Sequence, residues 1–124
     1  MFNVLVNREY EMLFENLKTE APDSFVLTLV DFKHPDENLK ALLSHADAII
    51  GQVNLSDSQF KSAGKLKIIQ TLSAGYDKID LEKAGQYKVR IANNDGANAV
   101  SVAEHVLMLI FALYRRLLFH HHSV

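Results

Sequence analysis

Residues Thr71 to Leu81 read TLSAGYDKIDL. Three small residues, Ser73-Ala74-Gly75, follow the apolar run Leu66-Lys67-Ile68-Ile69-Gln70, and Asp77 stands two residues beyond the glycine. Two kinds of chemistry suit such a stretch. Small side chains let an anion come close to the chain, so that main-chain N–H groups meet it as donors. Alternatively, Gly75 only supplies a positive φ at a strand-to-helix corner.

Other residues that could do chemistry are poorly placed for it. The glycines, at 51, 64, 75, 85 and 96, are too scattered for G-x-G-x-x-G or a P-loop. The first strand is followed by Asn7-Arg8-Glu9-Tyr10-Glu11, which puts carboxylates where a flavin phosphate would sit. A receiver domain needs acids after the third strand, where this chain has Gly51-Gln52. There is no cysteine, hence no disulfide, thiol nucleophile or thiolate metal site. His120, His121 and His122 form a cluster that reads as a solvated chain end or a purification tag rather than a metal site. His34, His45 and His105 each have a local turn, helix-end or neighbouring-residue explanation, and no second ligand at metal-binding spacing accompanies them.

The elements that must position these residues alternate regularly. Strand-like runs fall at Phe2–Val6, Ser24–Val30, Asp47–Gln52, Lys65–Thr71 and Tyr87–Asn93. Between them lie helical patterns, with Tyr10, Leu13, Phe14 and Leu17 inward in the first, and Leu39, Leu42 and Leu43 inward in the second. Ser56 opens a short third helix that stops at Gly64, and the fourth stops near Gly85. Brief, nearly all-apolar strands alternating with helices predict an α/β fold: a flavodoxin-like, doubly wound, parallel five-stranded sheet with flanking helices and a long C-terminal helix. That last helix is expected over about residues 99–119, with 1–98 as the domain proper and 120–124 as a tail. Asn98 could cap it, or Ser101 with Glu104 could form a capping box. Its Val106–Leu113 stretch is apolar on nearly every side and calls for cover by another domain or a second subunit, the alternative being burial in the domain's own core.

The 124 residues fit one domain, 48% hydrophobic and 23% charged, with a net charge of −2 and scattered Lys and Arg. This argues against a nucleic-acid or membrane partner. The longest apolar run falls well short of the roughly 20 residues of a membrane span. Met1-Phe2-Asn3-Val4 opens straight into a strand-like run rather than a signal peptide, so a cytoplasmic location is expected.

Two segments together resemble the N-terminal, substrate-binding part of the D-isomer-specific 2-hydroxyacid dehydrogenases. The first is Ser73-Ala74-Gly75-Tyr76-Asp77-Lys78-Ile79-Asp80. The second is Asn98-Ala99-Val100-Ser101-Val102-Ala103-Glu104-His105, opening a long apolar helix with Arg115 and Arg116 near its end. The resemblance is firm from Ile50 to Leu117 and rests on pattern alone before that. It implies an oxidoreductase acting on the CH–OH group of D-2-hydroxy acids, with NAD or NADP held by a second domain that would follow the long helix. It therefore implies that this chain is one domain of a two-domain enzyme, inactive alone and binding no cofactor itself. The family's catalytic Arg, Glu and His match nothing here, and His105 is not its acid/base histidine.

By the same resemblance, the main-chain N–H groups of Ala74 and Gly75 grip the substrate carboxylate. Asn98 matches an asparagine that contacts substrate in the formate dehydrogenase branch, and Gln52 falls where family members line the pocket. Asp77 and Asp80 are expected to orient the bend and cap the next helix. The implied partners are a small 2-oxo or 2-hydroxy acid and a second copy of the chain, docked through the C-terminal helix. The other reading is a non-catalytic module of the same fold that dimerises or binds a partner.

Overall fold

Runs of Val, Ile and Leu too short for helices form the strands here. The computed structural model describes residues 1–121. It divides into one unit spanning Met1–Asn94 and a second beginning at Asp95. In the first, β1 (Phe2–Asn7), β2 (Phe25–Val30), β3 (Ala48–Ile50), β4 (Ile68–Gln70) and β5 (Arg90–Ala92) form one sheet in the order β2-β1-β3-β4-β5. Every neighbouring pair is parallel, as the alternation of elements requires. The connections are α1 (Glu11–Glu20, after a 3₁₀ turn at Arg8–Tyr10), α2 (Leu39–His45), α3 (Asp57–Ser62) and α4 (Leu81–Gln86).

Leu5, Ile49, Ile69 and Ile91 stand side by side across four strands. They join Leu39 and Leu43 of α2, Phe60 of α3 and Ala84 of α4 in one apolar cluster. Phe60 also stacks on Tyr87 with ring centres 5.0 Å apart. Leu43, Ile49 and Ile69 are fully buried. Leu43→Ala is therefore expected to cost about 2–5 kcal/mol of unfolding free energy, read from urea denaturation.

Register also places the loops. Val6, Ile50, Gln70 and Ala92 are level across the sheet. The residues that follow them, Asn7 at the last position of β1 and Gly51, Thr71 and Asn93 just past their strands, thus lie along one rim. Between β1 and β3 the strand order reverses direction, which is where open α/β sheets place ligands.

The second unit holds α5 (Ala99–Tyr114) and α6 (Leu117–His121). The long helix expected to run on to residue 119 is interrupted at Arg115-Arg116. Arg116 adopts φ 48°, and its N–H turns back to the Leu113 carbonyl at 3.1 Å, which ends the regular ladder. No residue of α5 is buried, and its apolar side chains are widely exposed, Leu113 and Tyr114 by 77% and 86%. Ser101 lies within the helix rather than before it, so the capping box falls elsewhere, at Ser56 and Gln59 of α3. Among the described residues no helix is long and apolar enough to cross a membrane, and no three His, Asp or Glu side chains are grouped to hold a metal. His122 of the histidine cluster lies outside the described residues.

Candidate functional site

The rim of β1, β3, β4 and β5 carries a continuous hydrogen-bond network. It starts at Gly51, whose φ of +129° is open only to glycine. A Cβ built there would sit 2.6 Å from Asn7 Cβ and 3.1 Å from a Tyr10 ring carbon. Glycine thus lets the buried Asn7 side chain pass close, and Asn7 Nδ2 donates to the Gln52 carbonyl at 3.2 Å. Gln52 in turn reaches across to the next loop. Its Nε2 donates to Ser73 Oγ and to the Gly75 carbonyl, both at 2.7 Å. A carbonyl can be met only by a donor, so the contact with Gly75 fixes which end of the Gln52 amide points inward.

The small-residue corner is held by its carbonyls. Ser73 O accepts from the buried Thr71 Oγ1 at 2.6 Å and from Asn94 N–H at 3.1 Å. Ala74 O accepts from Asn93 Nδ2 at 2.8 Å. Gly75 O accepts from Gln52 and from Ser73 Oγ, the latter at 3.1 Å. By contrast, the N–H groups of Ala74 and Gly75 donate to no acceptor among the described residues. Gly75 does not adopt positive φ, a conformation found among the glycines only at Gly51 and Gly96. The corner explanation based on a left-handed Gly75 is therefore wrong. A Cβ on Gly75 would make only ordinary contacts, 3.5 Å from Asp77 Oδ2 and 3.8 Å from Gln52 Nε2.

Beside the corner lies a cleft of about 500 Å³ at the switch point, lined by Asn7, Glu9, Lys33, Gln52, Asp77 and Asp80 among others. Ala74 and Gly75 are not on its wall; Gln52 and Asp77 connect the two. Asp80 caps α4, accepting from Lys83 N–H at 2.9 Å, with Lys83 Nζ at 3.3 Å. The Lys83 backbone N–H, then the Lys83 side chain, hold its carboxyl below the ordinary aspartate value. A lowered folded-state pKa means that this contribution is present above the unfolded value and is lost as the pH falls through the folded one. Asp80→Asn is thus expected to remove part of the stability loss below about pH 4, measured as unfolding midpoint against pH. Burial first, and then the Glu9 carboxylate, raise the pKa of the Tyr10 hydroxyl.

Of the residues singled out by sequence, Gln52, Ala74 and Gly75 come together. Gln52 braces the corner with its amide nitrogen rather than simply lining a pocket. Asn98 belongs to the second unit, at the N-cap position of α5, where its side chain makes no capping hydrogen bond. The network adds Asn7, Thr71 and Asn93, which sequence alone does not single out, and it gives Ser73 of the bend a hydrogen-bonding role. Asn7 and Asn93 are the first side-chain amides after their apolar runs, and that position at strand ends was the available signal.

The turn after β1 is not built for a dinucleotide pyrophosphate. It contains no glycine, curls into a 3₁₀ turn at Arg8–Tyr10 and carries Glu9, so no backbone cradle for a pyrophosphate is formed there.

The parallel sheet and its strand order define a doubly wound α/β domain. Residues 4–116 match the family described as D-isomer specific 2-hydroxyacid dehydrogenase, catalytic domain, and the chain belongs to that family. Formate dehydrogenase 1 of Saccharomyces cerevisiae is 31% identical over 111 residues, covering 86% of this chain and 30% of its own length. A NAD-dependent formate dehydrogenase from Staphylococcus aureus, solved in complex with NAD, superposes with a TM-score of 0.67 at 21% identity, covering 97% of this chain and 40% of that one. A 2-hydroxyacid dehydrogenase from Ketogulonicigenium vulgare gives a TM-score of 0.70 at 19% identity, over 90% of this chain and 36% of that one. The chain thus spans well under half the length of these relatives.

Proposed function

We propose that this chain is the substrate-binding part of an NAD(P)-dependent oxidoreductase that interconverts D-2-hydroxy acids and 2-oxo acids, and that it seats the substrate carboxylate on the N–H groups of Ala74 and Gly75. The observation that carries this reading is the polarity of the corner. All three carbonyls from Ser73 to Gly75 are tied back, while two successive N–H groups are left without an acceptor among the described residues. Hydrogen bonds from such donors to a carboxylate are charge-assisted and roughly twice as strong as neutral ones. Gln52 supports the corner from behind, and Asn98 stays a substrate-contact candidate on the family resemblance alone. Hydride transfer would need a nicotinamide held by residues outside this chain. The 124 residues alone are therefore expected to leave NADH unoxidised with glyoxylate, pyruvate or hydroxypyruvate.

The test is a titration of ¹⁵N-labelled protein with oxamate and with formate. The Ala74 and Gly75 amide resonances are expected to move and saturate together. If both stay fixed at high ligand concentration, the carboxylate seat is wrong.

The second reading is a module that works through its helix, as a homodimer or against another partner. It is favoured by α5, whose large apolar side chains from Val106 to Tyr114 are all exposed. Light scattering is expected to give twice the monomer mass, and a monomer at all accessible concentrations would exclude self-association.

A further inference from the structure

In a planar trans peptide the carbonyl and the N–H of the same unit point in opposite directions. Among the described residues no peptide bond is cis. Whatever holds a carbonyl at the corner therefore also aims the next residue's N–H. The Ala74 carbonyl shares its peptide with the Gly75 N–H, and among the described residues it has one hydrogen bond, from Asn93 Nδ2 at 2.8 Å. The Ser73 carbonyl shares its peptide with the Ala74 N–H and is held independently, by Thr71 Oγ1 and Asn94 N–H.

The backbone does not hold this corner by itself. An anion-binding nest formed by alternating right- and left-handed residues would need a positive φ. No residue from Thr71 to Asp80 has one. Side chains must supply the orientation instead, and Asn93, leaving β5 on the same rim as Gln52 leaves β3, supplies it for one peptide unit.

We propose that Asn93 is a positioning residue that aims the Gly75 N–H at the substrate carboxylate by gripping the Ala74 carbonyl. Asn93 need not touch the substrate; it acts through the peptide plane. This rests on the carboxylate seat proposed above. It adds a division of labour: Asn93 governs the Gly75 donor, and Thr71 together with the Asn94 N–H governs the Ala74 donor.

The experiment compares oxamate titrations of the ¹⁵N-labelled wild-type chain with Asn93→Leu, which has similar bulk and no donor, and Asn93→Ala, which adds no bulk. In both variants oxamate is expected to bind about tenfold more weakly, as befits loss of one well-aimed donor to a charged group. The Gly75 amide is expected to lose its ligand-induced shift while the Ala74 amide keeps most of its own. Asn93→Gln, which restores a donor, is expected to recover part of the Gly75 response. A merely structural role would weaken both amide responses alike. Equal weakening of the two responses, or wild-type affinity and shifts in either folded variant, would overturn the positioning role and leave the carboxylate seat standing. A wild-type chain whose amides at 74 and 75 ignore oxamate would overturn the seat, and the role of Asn93 with it.

Discussion

Gly51→Ala is expected to lower the unfolding free energy by about 3 kcal/mol or more, combining backbone strain with overpacking. The strain arises because φ +129° is a conformation that a residue with a Cβ rarely adopts. The overpacking arises because the new methyl would meet Asn7 Cβ at 2.6 Å, and Asn7 is buried with its amide committed to the Gln52 carbonyl. Relief of either clash displaces Asn7 or the end of β3, so Gln52 should shift too and the Gly75 resonance with it. Urea denaturation followed by circular dichroism measures the loss. Gly64→Ala is the control: nothing lies within 4 Å of its built Cβ and its φ is not positive, so little change is expected. A Gly51→Ala protein as stable as the control would show that β3 can end differently.

The second large effect is expected from Gln52→Glu. At neutral pH the new carboxylate only accepts, yet it would face the Gly75 carbonyl, which needs a donor. Loss of one of that carbonyl's two donors, with Ser73 Oγ left as the other, and the pressing of like partial charges together should cost about 1–3 kcal/mol. Protonation restores an O–H donor, so the folded-state pKa of Glu at this position lies above the unfolded value. Stability from a raised pKa is complete below the unfolded pKa, about 4.3 for glutamate, and is lost as the pH rises through the folded one. The deficit against wild type should therefore be smaller at pH 4.5 than at pH 7.5. Gln52→Leu should show a deficit that does not change with pH. Equal deficits for Gln52→Glu at both pH values would mean that the amide donor at position 52 does not hold the corner.

Much of this architecture is legible in the residues. Five short apolar runs separated by helical periodicity require a parallel sheet, and Leu39 and Leu43 face the core as their spacing demands. Asp80 caps its helix as expected. Periodicity does not give phase where a helix is only partly covered. In α1, Leu13 is 46% exposed while Phe14 and Leu17 are half-buried, though all three fit one stripe. Nor does an apolar run mark its own end: Leu117-Leu118-Phe119 continues the pattern past the break that Arg116 makes by going left-handed. The stop of α4 is likewise supplied by Lys88 at φ 58°, not by Gly85, which lies inside the helix. In the site, Gln52, Ala74 and Gly75 could be picked out because strand ends and small residues are visible in one dimension. Asn93 also stands at a strand end, but its role is not visible there, because its grip on Ala74 spans 19 residues and depends on the register of β4 with β5.

The sheet stops at β2, and that border has its own consequence. One side of Phe25–Val30 faces no further strand among the described residues, and the six residues include no charge and no proline. Phe25 and Val26 are exposed as well. A bare rim of this composition is a template on which another extended segment can add, the first step of fibrillar growth. Pro22 and Asp23 before it, and Asp31 and Lys33 after it, stand as gatekeepers at the two ends. Colloidal shelf life of the concentrated protein should accordingly depend on those four flanking residues more than on anything near the rim that carries Gln52 and Asn93.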